Sequence, residues 1–192
     1  MSKDDAYRVG ETIRQLFFEA YHKIPSRIVL HKLTPFLRDE RDGLREGLNG
    51  ISNIDMVEIN VDDAMRYVAS VVGQFGGLKQ DNYPVRRGTV IKLDDFTALL
   101  WIHGATGALQ GNRPYFQGKR RIPAPVLVRR HAGTTDLAIL AEEILGLSKM
   151  NWNSADLYSR LPATVDSSKQ IAQLGALLNR FGPMSYDYRL FI

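Results

Sequence analysis

The chain has 192 residues, of which 44% are apolar and 24% are charged, and its formal net charge is +4. These values are ordinary for a soluble globular protein with one core, and the lack of cysteine excludes disulfides, thiolate metal sites and cysteine nucleophiles. No apolar run is long enough to span a bilayer and the N-terminus lacks a signal-peptide core, so we expect a cytoplasmic protein without membrane contact.

The first third of the chain alternates helix and strand patterns. Apolar residues at helical spacing predict a helix over residues 5–23, and Pro25 ends it. A short strand over 27–32, a charged helix over 38–49 and a strand over 54–61 follow. This order predicts an α/β fold with parallel strands and crossover helices. Because no strand precedes the first helix, we expect another segment or another chain to complete the sheet.

The remaining elements follow a polar loop over residues 76–84. Period-two patterns predict a hairpin turned by Asp94-Asp95, and Thr135 is the predicted cap of a strongly apolar helix. The predicted hairpin strands, third strand and final helix cover 88–93, 97–103, 125–130 and 167–181. An apolar, aromatic tail over 186–192 is unusual for a chain end, so we expect it to dock on the protein.

A long stretch from Phe96 to Thr135 contains no Asp or Glu. Cations and histidines within it are Arg113, Lys119, Arg120, Arg121, Arg129, Arg130, His103 and His131, and the aromatics are Trp101, Tyr115 and Phe116. Lys and Arg neutralise phosphates, and aromatic rings stack on bases. This composition favours nucleic-acid binding, with a pair of solvated basic strands and a flexible loop as the alternative.

Catalytic motifs are scarce along the chain. Acidic clusters at 39–46, 62–63 and 94–95 have the spacing of a solvated helix face or of turns, rather than of carboxylates converging on Mg²⁺. The sequence contains no G-x-S-x-G, P-loop or G-x-G-x-x-G pattern, and its histidines lie in no recognisable catalytic motif. The residues alone therefore indicate binding rather than catalysis.

Several segments, in order and spacing, resemble the second half of a PIWI domain. They are Arg87-Gly88-Thr89, Leu100 to Gly104, Pro123 to Gly133, Leu137 to Asn153, Leu161 to Val165 with Ser168-Lys169, and Asn179 to Gly182. The chain is similar to prokaryotic Argonautes, above all to the short MID–PIWI kind, from about Pro25 onward. The resemblance implies that residues 1–192 are the C-terminal portion of a PIWI domain.

The resemblance implies an RNase H-like fold, a mixed sheet flanked by helices, whose first strands are absent here. In slicing Argonautes four groups, mostly Asp and Glu, hold two Mg²⁺ ions. The first two would lie upstream of this chain, and the third and fourth align with Lys32 and Lys169. An ammonium cannot ligate Mg²⁺, so the resemblance implies a protein that does not slice. These lysines would contact phosphates or be surface charges of a degenerate site.

Further contacts are implied by the same resemblance. His103 and Arg113 match positions that touch the guide backbone in relatives, and we expect phosphate contacts from Arg129, Arg130, Lys149 and Arg180 as well. The C-terminal carboxylate of Ile192 would share a cation such as Mg²⁺ with the 5′ phosphate of the guide. Leu174 stands where eukaryotic relatives carry an Arg for that phosphate, so this contact is not expected.

The resemblance as a whole implies an inactive Argonaute that binds a guide and its complementary target. Its partners would be a MID domain, the N-terminal PIWI segment and an APAZ-type effector, and its role defence against invading nucleic acid. One alternative is a guided, Mg²⁺-dependent endonuclease whose ligands come from another segment or from Asp166. A second alternative is an interaction subunit without nucleic-acid contact. The sequence leaves open whether the guide is RNA or DNA.

Overall fold

The computed structural model describes residues 1–62, 64–81, 85–106, 115–116, 123–150 and 159–178, which form an α/β arrangement. The helices are α1 (Lys3–Tyr21), α2 (Arg38–Gly47), α3 (Leu137–Leu147) and α4 (Ala163–Leu178). The strands are β1 (Arg27–Lys32), β2 (Asn53–Val61), β3 (Ser70–Val72), β4 (Leu78–Gln80), β5 (Val90–Lys92), β6 (Thr97–Leu100), β7 (Ala105–Thr106), β8 (Tyr115–Phe116) and β9 (Val126–Ala132). None of the helices in these ranges has the length and apolar character needed to cross a membrane.

The main sheet has five strands in the order β1-β2-β9-β6-β5. Strands β1 and β2 are parallel, with Arg27 opposite Asn53 and Lys32 opposite Glu58. The other neighbours in this sheet are antiparallel. The mixed sheet with flanking helices confirms the predicted fold class. Within the described residues β1 pairs only with β2, and a strand that completes the sheet from another segment stays a prediction.

Alternation along β2 separates the two faces of this sheet. Val57 and Ile59 point into a core under α3 and α4 that includes Leu140 and Val165. Met56 points the other way, toward a second cluster formed with Ala6 of α1 and Leu44 of α2. Successive strand residues face opposite sides, so β1 and β2 present different side chains to the two helix layers.

Close packing of α1 on α2 depends on glycines. A Cβ at Gly43 would lie 2.2 Å from the carbonyl oxygen of Lys3, and one at Gly47 would lie 2.2 Å from that of Tyr7. Both distances are far below van der Waals contact, so side chains at these positions would push the helices apart. The charged residues of α2 predict a helix from the sequence, whereas its glycines determine how near it comes to α1.

The cap of α3 differs from the prediction. Asp136, not Thr135, is the N-cap residue, and its carboxylate accepts a hydrogen bond of 2.7 Å from the backbone N–H of Ala138. The hydroxyl of Thr135 instead donates to Asp55 Oδ2 at 2.6 Å. Asp55 is fully buried in β2 and also accepts from Arg27 Nε at 3.0 Å. Thr135 is therefore used to satisfy a buried carboxylate from a distant strand.

Other boundaries shift because turns and tertiary contacts override local patterns. Helix α1 begins at Lys3, after the N-cap Ser2, rather than at Asp5. Helix α4 begins at Ala163 rather than Ser167, and its predicted end at residue 181 lies outside the described residues. The predicted polar loop over 76–84 contains strand β4, paired with β3 in a hairpin of its own. Strand β9 continues to Ala132, past the predicted end at 130.

Candidate nucleic-acid interface

A cavity of about 510 Å³ lies where β1 ends against α4. Its walls are residues 31–34 and the face of α4 between Val165 and Ala176. Lys32 and Lys169, which lie far apart in sequence, both line it. The two positions that the resemblance aligns with metal ligands are therefore brought to one cavity.

Lys32 is held by a buried carboxylate. Its Nζ lies 2.6 Å from Glu40 Oε1 and 2.7 Å from Oε2, and Glu40 is only 1% exposed. Burial by itself would raise the pKa of Glu40, but hydrogen bonds from Lys32 and from the Leu37 backbone N–H outweigh it and hold that pKa below its usual value. The charge of Lys32 is thus largely compensated from within the fold.

His31 enters the same cavity from the opposite face of β1. Its Nδ1 lies 2.9 Å from Thr164 Oγ1 at the start of α4. Burial lowers the pKa of His31 to about 4, against an opposing effect of the Glu143 charge. The imidazole is therefore neutral at physiological pH, and it adds hydrogen-bonding capacity to the cavity without adding charge.

The described lining of the cavity suits an anion better than a metal ion. It contains two lysines, one neutral histidine and no carboxylate. Mg²⁺ requires oxygen ligands in octahedral geometry, so these residues do not fit the slicing metals. Across the part of the chain that the structure describes, no group of three or more His, Asp or Glu side chains converges as a metal site would require. Lys169 is exposed on α4.

The neighbouring arginines of β9 have different environments. Arg129 is 45% exposed, and its nearest charged partner is Glu58, 4.0 Å away. Arg130 faces the other side of the sheet, where its guanidinium donates to the backbone carbonyls of Thr135 and Asp95. Arg129 is therefore partly open to solvent, whereas the guanidinium of Arg130 binds a loop. A phosphate contact by either residue stays a prediction.

Acidic side chains from other parts of the chain lie next to the acid-free stretch from Phe96 to Thr135. Glu58 of β2, 4% exposed, lies under it and its carboxylate is 2.8 Å from His131 Nε2. Lys92 pairs with Asp136 at 2.9 Å beside the same strands. The sequence did not predict the roles of Glu40 and Glu58 as partners of cations. An acidic residue on a charged helix or in an apolar strand gives no indication of which cation it will contact in the fold.

The remaining predicted contacts are dispersed. His103 is partly buried in the turn between β6 and β7, and Lys149 is exposed in the turn after α3. Neither lines the cavity that holds Lys32 and Lys169. Arg113, Arg180 and Ile192 lie outside the described residues, as do Lys119, Arg120 and Arg121. The predicted Mg²⁺ site at Ile192 stays a prediction for the same reason.

No protein-family model matches the chain, and no curated protein matches its sequence. Solved structures match it in fold. The Argonaute of A. aeolicus aligns with TM-score 0.60, 22% identity and 91% of this chain. Aa-Ago with externally bound siRNA aligns with TM-score 0.62, 23% identity and 89% of this chain.

The Argonaute of Clostridium butyricum, bound to a guide DNA and a 19-mer target DNA, aligns with TM-score 0.61, 18% identity and 86% of this chain. The chain has an Argonaute-like fold. This result confirms the predicted RNase H-like α/β architecture. This chain spans only about a fifth of each matched protein, from 20% to 22% of their lengths.

Proposed function

We propose that this chain is the C-terminal portion of a PIWI domain, which holds a guide strand and its paired target without cutting them. The observation that carries the proposal is the cavity between β1 and α4. Lys32 and Lys169 both line it, and its described lining contains no carboxylate. The Argonaute-like fold supports the nucleic-acid partner, since one neighbour is bound to guide and target DNA.

Electrostatics favours binding over cleavage at this cavity. Metal-assisted hydrolysis of a phosphodiester needs a positively charged ion held by anionic ligands. Lys32 already has the Glu40 carboxylate as its anion, but the exposed ammonium of Lys169 would repel such an ion and attract a backbone phosphate instead. Contacts to the backbone carry no sequence information. The sequence of the target would therefore be read by base pairing with the guide.

The wider assembly is part of the same proposal. A MID domain and the N-terminal PIWI segment would complete the guide channel, and an APAZ-type effector would supply the response to invading nucleic acid. The C-terminal carboxylate of Ile192 and the 5′ phosphate of the guide would share a divalent cation, because two anions in contact need a cation between them. Adding one Gly after Ile192 is expected to weaken the binding of a 5′-phosphorylated guide, and equal affinity would contradict this role.

A cleavage assay separates the proposal from the guided endonuclease. The complete protein is incubated with guide, end-labelled complementary target and either Mg²⁺ or Mn²⁺, with a non-complementary target as control. We expect guide-dependent retention of the complementary target and no shortened product. A product cut opposite the middle of the guide would contradict the inactive assignment, and would indicate that another segment supplies the metal ligands.

A binding assay separates the proposal from an interaction subunit that never touches nucleic acid. Lys169→Gln removes the exposed ammonium of the cavity, and Lys23→Gln is the control, since it removes an exposed ammonium that is outside the cavity and is not among the predicted contacts. The proposal predicts weaker duplex binding for Lys169→Gln, by about fivefold at moderate salt, with a salt slope reduced by about 1. Equal affinity of both variants and the unaltered protein would contradict a phosphate contact in the cavity.

A further inference from the structure

His31 has one ring nitrogen to spare in the wall of the cavity between β1 and α4. Its Nδ1 is engaged, 2.9 Å from Thr164 Oγ1 in the first turn of α4. Its Nε2 has no hydrogen-bond partner among the described residues. Because His31 is only partly buried and lines the cavity, Nε2 can bind a polar group that enters there.

Helix α4 brings the ammonium of Lys169 toward this ring. Thr164 and Lys169 are five residues apart on α4, which is about 7.5 Å along the axis of a helix. Side chains of an α-helix lean toward its N-terminus, so Lys169 leans toward the turn that contacts His31. Lys169 is exposed and forms no ion pair with the described residues. One ligand between these two side chains could therefore contact both.

The charges around the cavity indicate that this ligand is an anion. The nearby acids have partners within the fold: Glu40 has Lys32, Glu143 has Arg27, and Asp166 has Gln170. None of these acids lines the cavity. Lys169 is thus the cation of the described lining that has no carboxylate partner. A phosphate of the nucleic-acid backbone complements it.

His31 is neutral because the cavity offers its ring no anion. Burial lowers the pKa of His31 to about 4, and the Glu143 charge opposes this shift only in part. A phosphate beside Nε2 would favour the imidazolium and raise that pKa. Both ring nitrogens of an imidazolium are donors, and the Thr164 hydroxyl oxygen can accept from Nδ1. The observed contact therefore suits the protonated ring as well.

We propose that His31 Nε2 donates a hydrogen bond to the same backbone phosphate that Lys169 attracts, and that His31 takes up a proton from solvent when this phosphate enters the cavity. The inference rests on the proposed function. It adds a second phosphate-binding group to that site and makes the binding of the duplex dependent on pH.

The affinity of the complete protein for a guide–target duplex at two pH values tests this role. If the phosphate returns the pKa of His31 to its usual 6.5, affinity should rise about tenfold between pH 7.5 and pH 5.5. His31→Gln should abolish this rise. His22→Asn is the control, since it removes an exposed histidine outside the cavity, and Asn tolerates the left-handed backbone there, with φ 53°. Circular dichroism checks that each protein is folded at both pH values.

Calorimetry at pH 6 in two buffers of different ionisation enthalpy counts the protons taken up on binding. The unaltered protein should take up about 0.7 proton more than His31→Gln. The 5′ phosphate of the guide and the other histidines titrate alike in both proteins, so their contributions cancel. The NMR shift of the His31 ring, titrated with and without duplex, follows the same change in the unaltered protein and needs no substitution.

The outcomes distinguish this inference from the proposed function. If His31→Gln binds the duplex with the same pH dependence and the same proton uptake as the unaltered protein, the role of His31 is wrong and the proposed function stands. A loss of affinity that is equal at both pH values would show that His31 only supports α4, and would also overturn the inference. If the unaltered protein binds no duplex at either pH, the proposed function fails and the inference with it.

Discussion

Lys32 Nζ lies 2.6 Å and 2.7 Å from the two carboxylate oxygens of Glu40, a residue that is only 1% exposed. The position that the resemblance to slicing Argonautes aligns with a metal ligand thus carries a cation, and that cation has a buried anion as its partner. Lys32 is coupled to the packing of α2 on the sheet, whereas Lys169 on the other wall of the cavity is exposed. The two lysines should therefore respond differently to substitution.

Replacing Lys32 should destabilise the fold. Lys32→Met leaves the buried Glu40 with only the more distant N-terminal ammonium, 3.7 Å from its Oε1. We expect the free energy of unfolding to fall by about 2 kcal/mol, since the lysine is itself partly exposed. Urea denaturation at pH 7 measures this change. Lys169→Met, on the exposed side of the cavity, is the control and should change stability by less than about 0.5 kcal/mol. Equal effects of the two variants would show that the ion pair does not matter to the fold.

The double variant Lys32→Met/Glu40→Leu tests the same ion pair by removing both charges together. Its loss of stability should be smaller than the sum of the two single losses, because no buried carboxylate remains unpaired. Additive losses would contradict a direct interaction between these side chains.

The arginines of β9 should separate binding from stability. Arg129 is 45% exposed, so Arg129→Gln should weaken duplex binding and lower the salt slope by about 1, with little change in unfolding. Arg130→Gln should instead lower the free energy of unfolding by about 1–3 kcal/mol, because the carbonyls of Thr135 and Asp95 lose their donor. Fluorescence anisotropy across a salt series and urea denaturation measure the two effects. A loss of stability in Arg129→Gln together with a loss of binding alone in Arg130→Gln would contradict the geometry of β9.

Acidification should destabilise the fold through His31. Its pKa is lowered from 6.5 to about 4 in the folded chain, so the unfolded chain takes up the proton first as the pH falls. The stability that the neutral His31 contributes is fully present above pH 6.5 and is lost as the pH falls from there toward 4. Between pH 7 and pH 5 the loss should be about 2 kcal/mol.

The variant His31→Gln isolates this contribution from other titrating groups. It keeps a polar side chain near Thr164 but cannot be protonated in this range. Its stability, measured by urea denaturation, should fall less between pH 7 and pH 5 than that of the unaltered chain. Parallel pH profiles for the two proteins would show that His31 is not the titrating group.

The contact between α1 and α2 should be sensitive to a single methyl group. A Cβ at Gly47 would lie 2.2 Å from the Tyr7 carbonyl oxygen, so Gly47→Ala forces the helices apart and should cost about 1–3 kcal/mol of stability. Thermal unfolding measures this. Gly146→Ala is the control, because a Cβ there meets nothing within 4 Å and should be neutral or mildly stabilising in helix α3.

The elements with strong periodicity were predictable from the sequence. Strand β1 has the predicted bounds, and β2 begins one residue before its predicted start at Ile54. Parallel pairing of these strands follows from the crossover helix between them. The β3–β4 hairpin was missed because its strands have three residues each and its glycine-rich turn has the composition of a loop. Such short strands carry too few residues for alternation to be recognised.

The candidate site was only partly predictable. The convergence of Lys32 and Lys169 follows from the resemblance and agrees with the cavity that both residues line. The carboxylate partner of Lys32 was not predictable, because Glu40 follows Asp39 on a helix whose acids all look solvated in sequence. The division between Arg129 and Arg130 depends on which face of β9 meets a loop, and that is a tertiary contact. A charged residue can be assigned to ligand binding only after the residues that it contacts within the fold are known.

Strand β9 lies between β2 and β6 although it follows both along the chain. During synthesis, the β1–β2 pair and the β5–β6 hairpin therefore emerge from the ribosome before the strand that joins them. Until β9 has emerged, the nascent chain carries two unjoined sheet halves with open edges, which are prone to wrong pairing. Any stop in translation ahead of Val126 thus leaves a product that cannot assemble its sheet, and such truncated chains should be substrates for chaperones and proteases rather than partly active proteins.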